Sequence, residues 1–226
     1  MICYIWGAGD PPVSFPRPTA GDLVIAADAG LSACRAAGVT PSVTIGDFDS
    51  LGEVPTEGEV IRLPVEKDET DMAAAIRIGL ARGYWDFYLL GGTGGRADHT
   101  FANYQLLTSL ANAGCLGILF GRDYRVVAMT SGSSLTFGED ATGTFSVFAV
   151  GGDAVGVTER GVYYPLEHAT LSPLTPLGVS NRFLAGATAR VSVERGTLLV
   201  FFGDTFLPKK LDIAGKSATI DPAKQN

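Results

Sequence analysis

Cysteine is scarce and scattered in this chain of 226 residues. Cys3, Cys34 and Cys115 are an odd, unclustered set, which argues against a disulfide framework and against a zinc site. Each lies in an apolar context and is expected to be a buried thiol, the form a reducing cytoplasm preserves. Basic residues are also in deficit: 17 Lys and Arg stand against 24 Asp and Glu, a formal net charge of −7. No basic run is long, and a nucleic-acid partner would require clustered cations. No stretch approaches the ~20 apolar residues that span a bilayer. The first residues, Met1 to Trp6, lack the basic start of a signal peptide, and Asp10 comes too early for one. The expectation is a cytoplasmic chain with neither nucleic acid nor membrane as partner. Apolar residues, by contrast, make up 46% of the sequence, enough for a sizeable core in one large or two small domains.

The texture of the chain changes once. Short apolar runs at Ile2–Trp6, Asp22–Ala26, Val43–Ile45, Val60–Leu63, Phe87–Leu90 and Leu116–Phe120 show no alternation. They are interleaved with helical stretches at Ala29–Ala37, Glu69–Arg82 and His99–Ala113. That pattern predicts an α/β domain with a mostly parallel sheet and flanking helices. The spacing puts Met72, Ile76, Gly79 and Leu80 on one face of the second helix, and Ala102, Leu106 and Leu110 on one face of the third. After about Ser131 no convincing helix follows. Strand candidates at Ser134–Phe137, Thr144–Val150, Ala187–Val193 and Thr197–Phe202 recur between Gly, Pro, Asp and Asn turns, the mark of an all-β sandwich or barrel. The expected division is 1–131 and 132–226, with a polar, partly ordered tail.

The stretch Gly91-Gly92-Thr93-Gly94-Gly95-Arg96-Ala97-Asp98-His99 follows a buried strand and opens a helix. Glycines there let backbone N–H groups approach an anion closely. The helix N-terminus and Arg96 add positive potential. The plainer alternative is a glycine loop with Asp98 as an N-cap. Three further motifs fall where strands end and helices begin: Ala27-Asp28-Ala29-Gly30, Gly46-Asp47-Phe48-Asp49-Ser50 and Lys67-Asp68-Glu69-Thr70-Asp71. With Asp98 they gather six aspartates at the edge where open α/β sheets place ligands. So much like charge calls for cations, and hard oxygen donors suit Mg²⁺ and the phosphates it accompanies. Asp28 could instead cap a helix, and Asp68 or Asp71 could simply complement a helix dipole. Lys67 could be a phosphate partner or a surface lysine. His99 alone is more often structural.

Four such motifs in register, continued by Ala102-Asn103, by Gly161-Val162-Tyr163-Tyr164-Pro165-Leu166 and by Gly178-Val179-Ser180-Asn181, resemble the thiamine pyrophosphokinases over nearly the whole chain. The resemblance implies transfer of the terminal diphosphate of ATP to the hydroxyl of thiamine, with AMP as the other product and Mg²⁺ required. It implies a homodimer of chains that each pair an α/β domain with a β-sandwich domain, the thiamine pocket lying between subunits. By motif, Asp47, Asp49, Asp68 and Asp71 would hold metal and diphosphate. Asp28, Lys67, Gly92, Thr93, Gly94 and Arg96 would lie along ATP. Asp98, His99, Tyr164, Ser180 and Asn181 would face thiamine. Asp49, Asp71 and Asp98 would form the catalytic set, with Asp71 or Asp98 taking the hydroxyl proton. Two departures stand out: Ala73 occupies a position that is acidic in many relatives, and Tyr164 stands where vertebrate-type relatives carry Trp. Competing readings are a haloacid dehalogenase-type phosphatase built on Asp47-Phe48-Asp49-Ser50, a diphosphokinase acting on a hydroxymethylpterin, and a non-catalytic sensor of thiamine or its diphosphate.

Overall fold

The computed structural model describes residues 1–48, 58–64, 66, 68–213 and 216–219. The chain divides into two compact units, Met1–Leu106 with Leu119–Arg122, and Leu107–Ile118 with Asp123–Asn226. No helix among the described residues is long and apolar enough to cross a membrane.

The first unit contains strands β1 (Ile2–Trp6), β2 (Leu23–Ala27), β3 (Val43–Gly46), β4 (Glu59–Arg62) and β5 (Asp86–Leu90). Its helices are α1 (Gly30–Ala36), α2 (Asp71–Ala81) and the first turns of α3 (Ala97–Asn112). The strands pair in parallel in the order β5-β1-β2-β3-β4. β1, β2 and β3 are buried along their whole length, which is why their sequences run apolar instead of alternating. β4, last in the order, is exposed at both ends.

Strand order reverses between β1 and β5. The chain moves outward from β1 to β4, then returns to the other side of β1. The carboxyl ends of β1 and β5 therefore flank a topological switch point, the crevice where open α/β sheets take their ligands. Because every crossover is parallel, α2 and α3 start at that same edge.

The helices hold the sheet through contacts that fix several residue types. Thr70 caps α2, its side chain accepting from the Ala73 N–H at 3.2 Å. Gly79 faces the sheet so closely that a Cβ would lie 2.7 Å from Phe87 and 2.9 Å from Cys3. On α3 the buried set is Asn103, Leu107, Leu110 and Ala111, so the face expected through Ala102 and Leu106 is rotated by about one residue. A hydrogen bond explains the rotation: the Asn103 Nδ2 donates to the Gly92 carbonyl at 2.7 Å, drawing a polar side chain into a position that apolar periodicity skips.

The second unit takes in the end of α3, the start of β6 (Leu116–Phe120), and β7 (Tyr124–Met129), β8 (Ser134–Phe137), β9 (Thr144–Arg160), β10 (Leu166–Leu171), β11 (Asn181–Arg182), β12 (Ala189–Ser192), β13 (Arg195–Gly203), β14 (Lys210–Ile213) and β15 (Lys216–Thr219). Among the described residues no helix follows α3. From β7 onward the strand pairs within the unit are antiparallel. β9 is much longer than the expected Thr144–Val150, because Gly151 and Gly152, which read as a turn, lie within the strand at φ 75° and 158°. Its first half pairs with β13, and its second half with β10 and β12. Phe137, Phe145, Phe183, Phe202 and Phe206 interlock at ring centroid distances of 4.8 to 6.0 Å and form the aromatic core of this unit.

Candidate active site

Two glycine-bearing turns build the switch point. After β1 the chain runs Gly7-Ala8-Gly9-Asp10, and after β5 it runs Gly91 to Gly95. Backbone hydrogen bonds zip the two turns together: Gly7 N–H to the Leu90 carbonyl at 2.8 Å, Gly9 N–H to Gly91 at 2.8 Å and Asp10 N–H to Thr93 at 2.7 Å. A Cβ on Gly9 would lie 2.3 Å from the Thr93 carbonyl oxygen, and one on Gly91 would lie 2.4 Å from that of Gly7. Glycine is thus demanded first by the neighbouring turn, and anion access is a consequence. Gly91, Gly94 and Gly95 also take positive φ. Gly92 and Thr93 are buried, and the turn opens to solvent from Gly94 onward. A Cβ on Gly7 would meet the Met72 side chain at 2.8 Å, so the first turn of α2 sits against the same edge.

Adjacent strand ends are separated by about 4.8 Å, so the loops after β1, β2 and β3 form a row. Asp28 follows β2 and Asp47 follows β3. Asp28 is not a helix cap; Ala29 occupies that position and makes no side-chain capping bond. The Asp28 Oδ1 is buried and has no hydrogen-bond partner among the described residues, an oxygen that invites a cation or an external donor. Asp28 and Phe48 also hold φ at 48° and 64°, a conformation rare for residues other than glycine. Asp47 lines a shallow cleft of about 390 Å³ with Arg62, Leu63 and Pro64. Asp71 is the first residue of α2 and Asp68, just before it, is exposed. Asp49 and Lys67 lie outside the described residues. Among the described residues no three His, Cys, Asp or Glu side chains converge to hold a metal ion.

Arg96 and Asp98 bracket the start of α3 as a fork-to-fork pair, with Nε to Oδ1 at 3.2 Å and Nη2 to Oδ2 at 2.5 Å. Both side chains are solvent-exposed. Asp98 lies inside the helix and is not its cap. The Arg96 hydrogen bonds hold its carboxyl down at about 2, so it is ionised at neutral pH and is a weak proton acceptor. His99 is exposed beside it.

Tyr164, Ser180 and Asn181 all lie in the second unit. The Tyr164 ring is largely exposed and meets Tyr163 edge-on at 4.9 Å. Tyr163 lies beneath the Arg182 guanidinium, 4.2 Å from the ring centroid. Ser180 holds φ at 58°, and its N–H donates to the Ser146 hydroxyl at 3.0 Å. Asn181 is buried: its Nδ2 donates to Glu159 Oε2 at 2.6 Å and to the Tyr164 carbonyl at 2.8 Å. Its Oδ1 accepts from the N–H of Tyr164 at 3.0 Å and of Arg182 at 2.8 Å.

Sequence reasoning passed over Asp10, which packs against Gly94, and Glu159. The second glycine pair, Gly7-x-Gly9 at a strand end, was the available signal for the first. Nothing local announces the second.

A glycine turn and aspartate-bearing strand ends at the switch point of a parallel sheet, in a chain with a separate antiparallel unit, define the class of α/β proteins that take ligands at the carboxyl edge of the sheet. Comparison with known proteins makes the class specific. Residues 19–117 match the family model described as thiamin pyrophosphokinase, catalytic domain, and residues 135–198 match thiamin pyrophosphokinase, vitamin B1 binding domain. The chain belongs to the thiamine pyrophosphokinase family. It is 27% identical over 184 residues to the thiamine pyrophosphokinase of Bacillus subtilis, covering 79% of this chain and 86% of that one. The crystal structure of a thiamine pyrophosphokinase from Bacillus subtilis superposes with a TM-score of 0.77 at 25% identity, over 91% of this chain and 99% of that one. One from Geobacillus thermodenitrificans gives 0.76 at 25% identity, over 90% and 98%. The thiamin pyrophosphokinase of Candida albicans, 14% identical, shares the fold with a TM-score of 0.71 over 90% and 89%. These matches do not favour the phosphatase, pterin or sensor readings.

Proposed function

We propose that the chain transfers the terminal diphosphate of ATP to the hydroxyl of thiamine, releasing AMP, with Mg²⁺ as the metal. The observation that carries the reading is the alignment of the glycine turn with the ends of β2 and β3 and the starts of α2 and α3 along one sheet edge. Asp47, Asp49, Asp68 and Asp71 are the proposed oxygen donors, and the Asp28 Oδ1, buried with no hydrogen-bond partner among the described residues, supports a cation or hydroxyl donor beside them. The metal would neutralise the diphosphate as charge develops on the leaving oxygen. Asp28, Lys67, the amides of Gly92 to Gly94, and Arg96 lie along ATP in this reading. Arg96 exchanges its carboxylate partner for phosphate oxygens when ATP binds.

On the acceptor side, Tyr164 stacks on the cationic thiamine rings, with Ser180, Asn181, Asp98 and His99 around it. Every polar atom of the Asn181 amide is engaged within the protein, so its part is to hold Tyr164. The hydroxyl proton goes to a carboxylate, Asp71 or Asp98, the latter released from Arg96 once the guanidinium has moved to phosphate. The antiparallel unit, as a β-sandwich, would form the dimer, each pocket drawing aspartates from one chain and the Tyr164 face from the other. One assay tests the activity: AMP formation from ATP with thiamine, with hydroxymethylpterin and with no acceptor. AMP with thiamine alone supports the proposal, and ADP as the nucleotide product overturns it. A purely monomeric species under assay conditions overturns the shared pocket.

A further inference from the structure

We infer that Glu159 is a positioning residue for thiamine, fixing the backbone of Tyr164 through the side-chain amide of Asn181. The inference rests on the proposed stacking role of Tyr164. Glu159 lies on β9 opposite Leu166 of β10 and Val191 of β12. It is 1% exposed, and its inward-facing neighbours Val157 and Val191 are fully buried. An apolar residue would satisfy that register position at no desolvation cost, whereas a carboxylate there is expensive. Burial pushes its carboxyl up to about 7, against the opposing pull of the Asn181 hydrogen bond.

The expense has a geometric return. An asparagine amide offers two donor hydrogens and two acceptor lone pairs, and here all four are committed. One hydrogen goes to Glu159 and the other to the Tyr164 carbonyl, while Oδ1 takes the N–H groups of Tyr164 and Arg182. A single side chain therefore holds both main-chain groups of Tyr164. The Glu159 Oε2 accepts the remaining amide hydrogen, so the amide that grips the Tyr164 backbone is anchored from the core side as well. The Tyr163 N–H is in turn fixed on the Arg182 carbonyl at 2.9 Å. Tyr164 thus projects an exposed ring from a pinned backbone, the arrangement that preorganised stacking needs. Without an acceptor at position 159 a buried N–H loses its partner, and the hold of the amide on the Tyr164 backbone loosens.

The test compares Glu159→Leu, which removes the acceptor, with Glu159→Gln, which keeps an oxygen in its place. Glu159→Leu is expected to raise the Kd for thiamine, by calorimetry, and the KM for thiamine by about tenfold or more. The KM for ATP and kcat at saturating thiamine stay within about twofold. Glu159→Gln restores thiamine Kd to within about threefold of the parent. A folded Glu159→Leu protein with unchanged thiamine Kd overturns the inference, as does a loss shared equally by thiamine and ATP. If Glu159→Leu does not fold, NMR of Glu159→Gln decides: the Asn181 side-chain and Tyr164 backbone amide signals must move together, and a stationary Tyr164 overturns it. A parent protein that neither binds thiamine nor forms AMP refutes the proposed function instead, an outcome distinguishable from all of these.

Discussion

The two units place the polar side chains around their proposed ligand surfaces differently, one in water and the other in a core. Along the sheet edge of the first, Asp68, Asp98 and His99 stand in water, and Asp28 keeps a buried oxygen without a hydrogen-bond partner among the described residues. In the interior of the second, Glu159 and Asn181 are almost wholly enclosed, and the amide has no bonding capacity left over. The difference teaches where ligand contact and ligand shaping reside. Groups that meet a charged ligand keep bonding capacity available for it. The amide that shapes the surface presented to the ligand is consumed internally, while Glu159 behind it keeps Oε1 without a hydrogen-bond partner among the described residues.

The largest effect should come from the edge. Asp49→Asn is expected to lower kcat by at least ~10²-fold at saturating ATP and Mg²⁺, since an oxygen donor that stabilises transition-state charge is lost. Steady-state rates near the parent value would remove Asp49 from the metal set. A second break targets the paired turns. Gly9→Ala places a Cβ 2.3 Å from a backbone oxygen that cannot swing aside. A loss of roughly 2–4 kcal/mol in urea unfolding is expected. Unchanged stability would mean the two turns separate readily.

How much of this could be read from residue order depends on range. The end of β2 was legible because an apolar run followed by Asp and then a helical pattern is a local signal, and the end of β3 because two aspartates flank Phe48 directly after an apolar run. The glycine turn was legible as a site, but the reason for Gly91 and Gly94 was not: the atoms they accommodate, Gly7 and Asp10, lie more than eighty residues earlier. The α3 face was misplaced by one position because Asn103 is polar and its partner, Gly92, is a loop carbonyl. β10 left no trace because only Leu171 of its six residues is buried, so no apolar alternation marks it. The pairing of Glu159 with Asn181 spans 22 residues and joins two polar side chains in a core, which no hydrophobic pattern reports.

The buried carboxylate gives the comparison a pH signature. Glu159 titrates at about 7 in the folded chain against a usual 4.5, so the folded form binds more protons than the unfolded form between those values. Its contribution favours folding below about pH 4.5 and is lost as pH rises toward 7. The full loss is on the order of 3 kcal/mol. Glu159→Gln, neutral throughout, should flatten the fall in thermal stability over that interval. A parallel pair of Tm-versus-pH curves would show that the carboxylate is not desolvated as described.

The smallest effect bears on the exposed side. Arg96 is already held by Asp98, so a phosphate must displace a carboxylate to reach it. Both groups are solvated, and exposed pairs of this kind are weak, so the competition is modest. Removing the competitor should then tighten nucleotide binding even as it harms turnover. Asp98→Asn is expected to lower the Kd for ATP, measured without thiamine, by no more than about fivefold, and the gain should shrink with added salt as screening weakens the original pair. In the same variant kcat with thiamine falls, because a group proposed to face the acceptor is altered. An Arg96→Gln protein supplies the control. Without the guanidinium, the Asp98 carboxyl should titrate closer to the ordinary 3.8 than to about 2, which NMR follows directly, and adding Asp98→Asn to it should no longer improve ATP binding. Weaker ATP binding in Asp98→Asn alone would mean that the Arg96–Asp98 pair persists in the nucleotide complex, with the carboxylate orienting the guanidinium toward phosphate instead of competing for it.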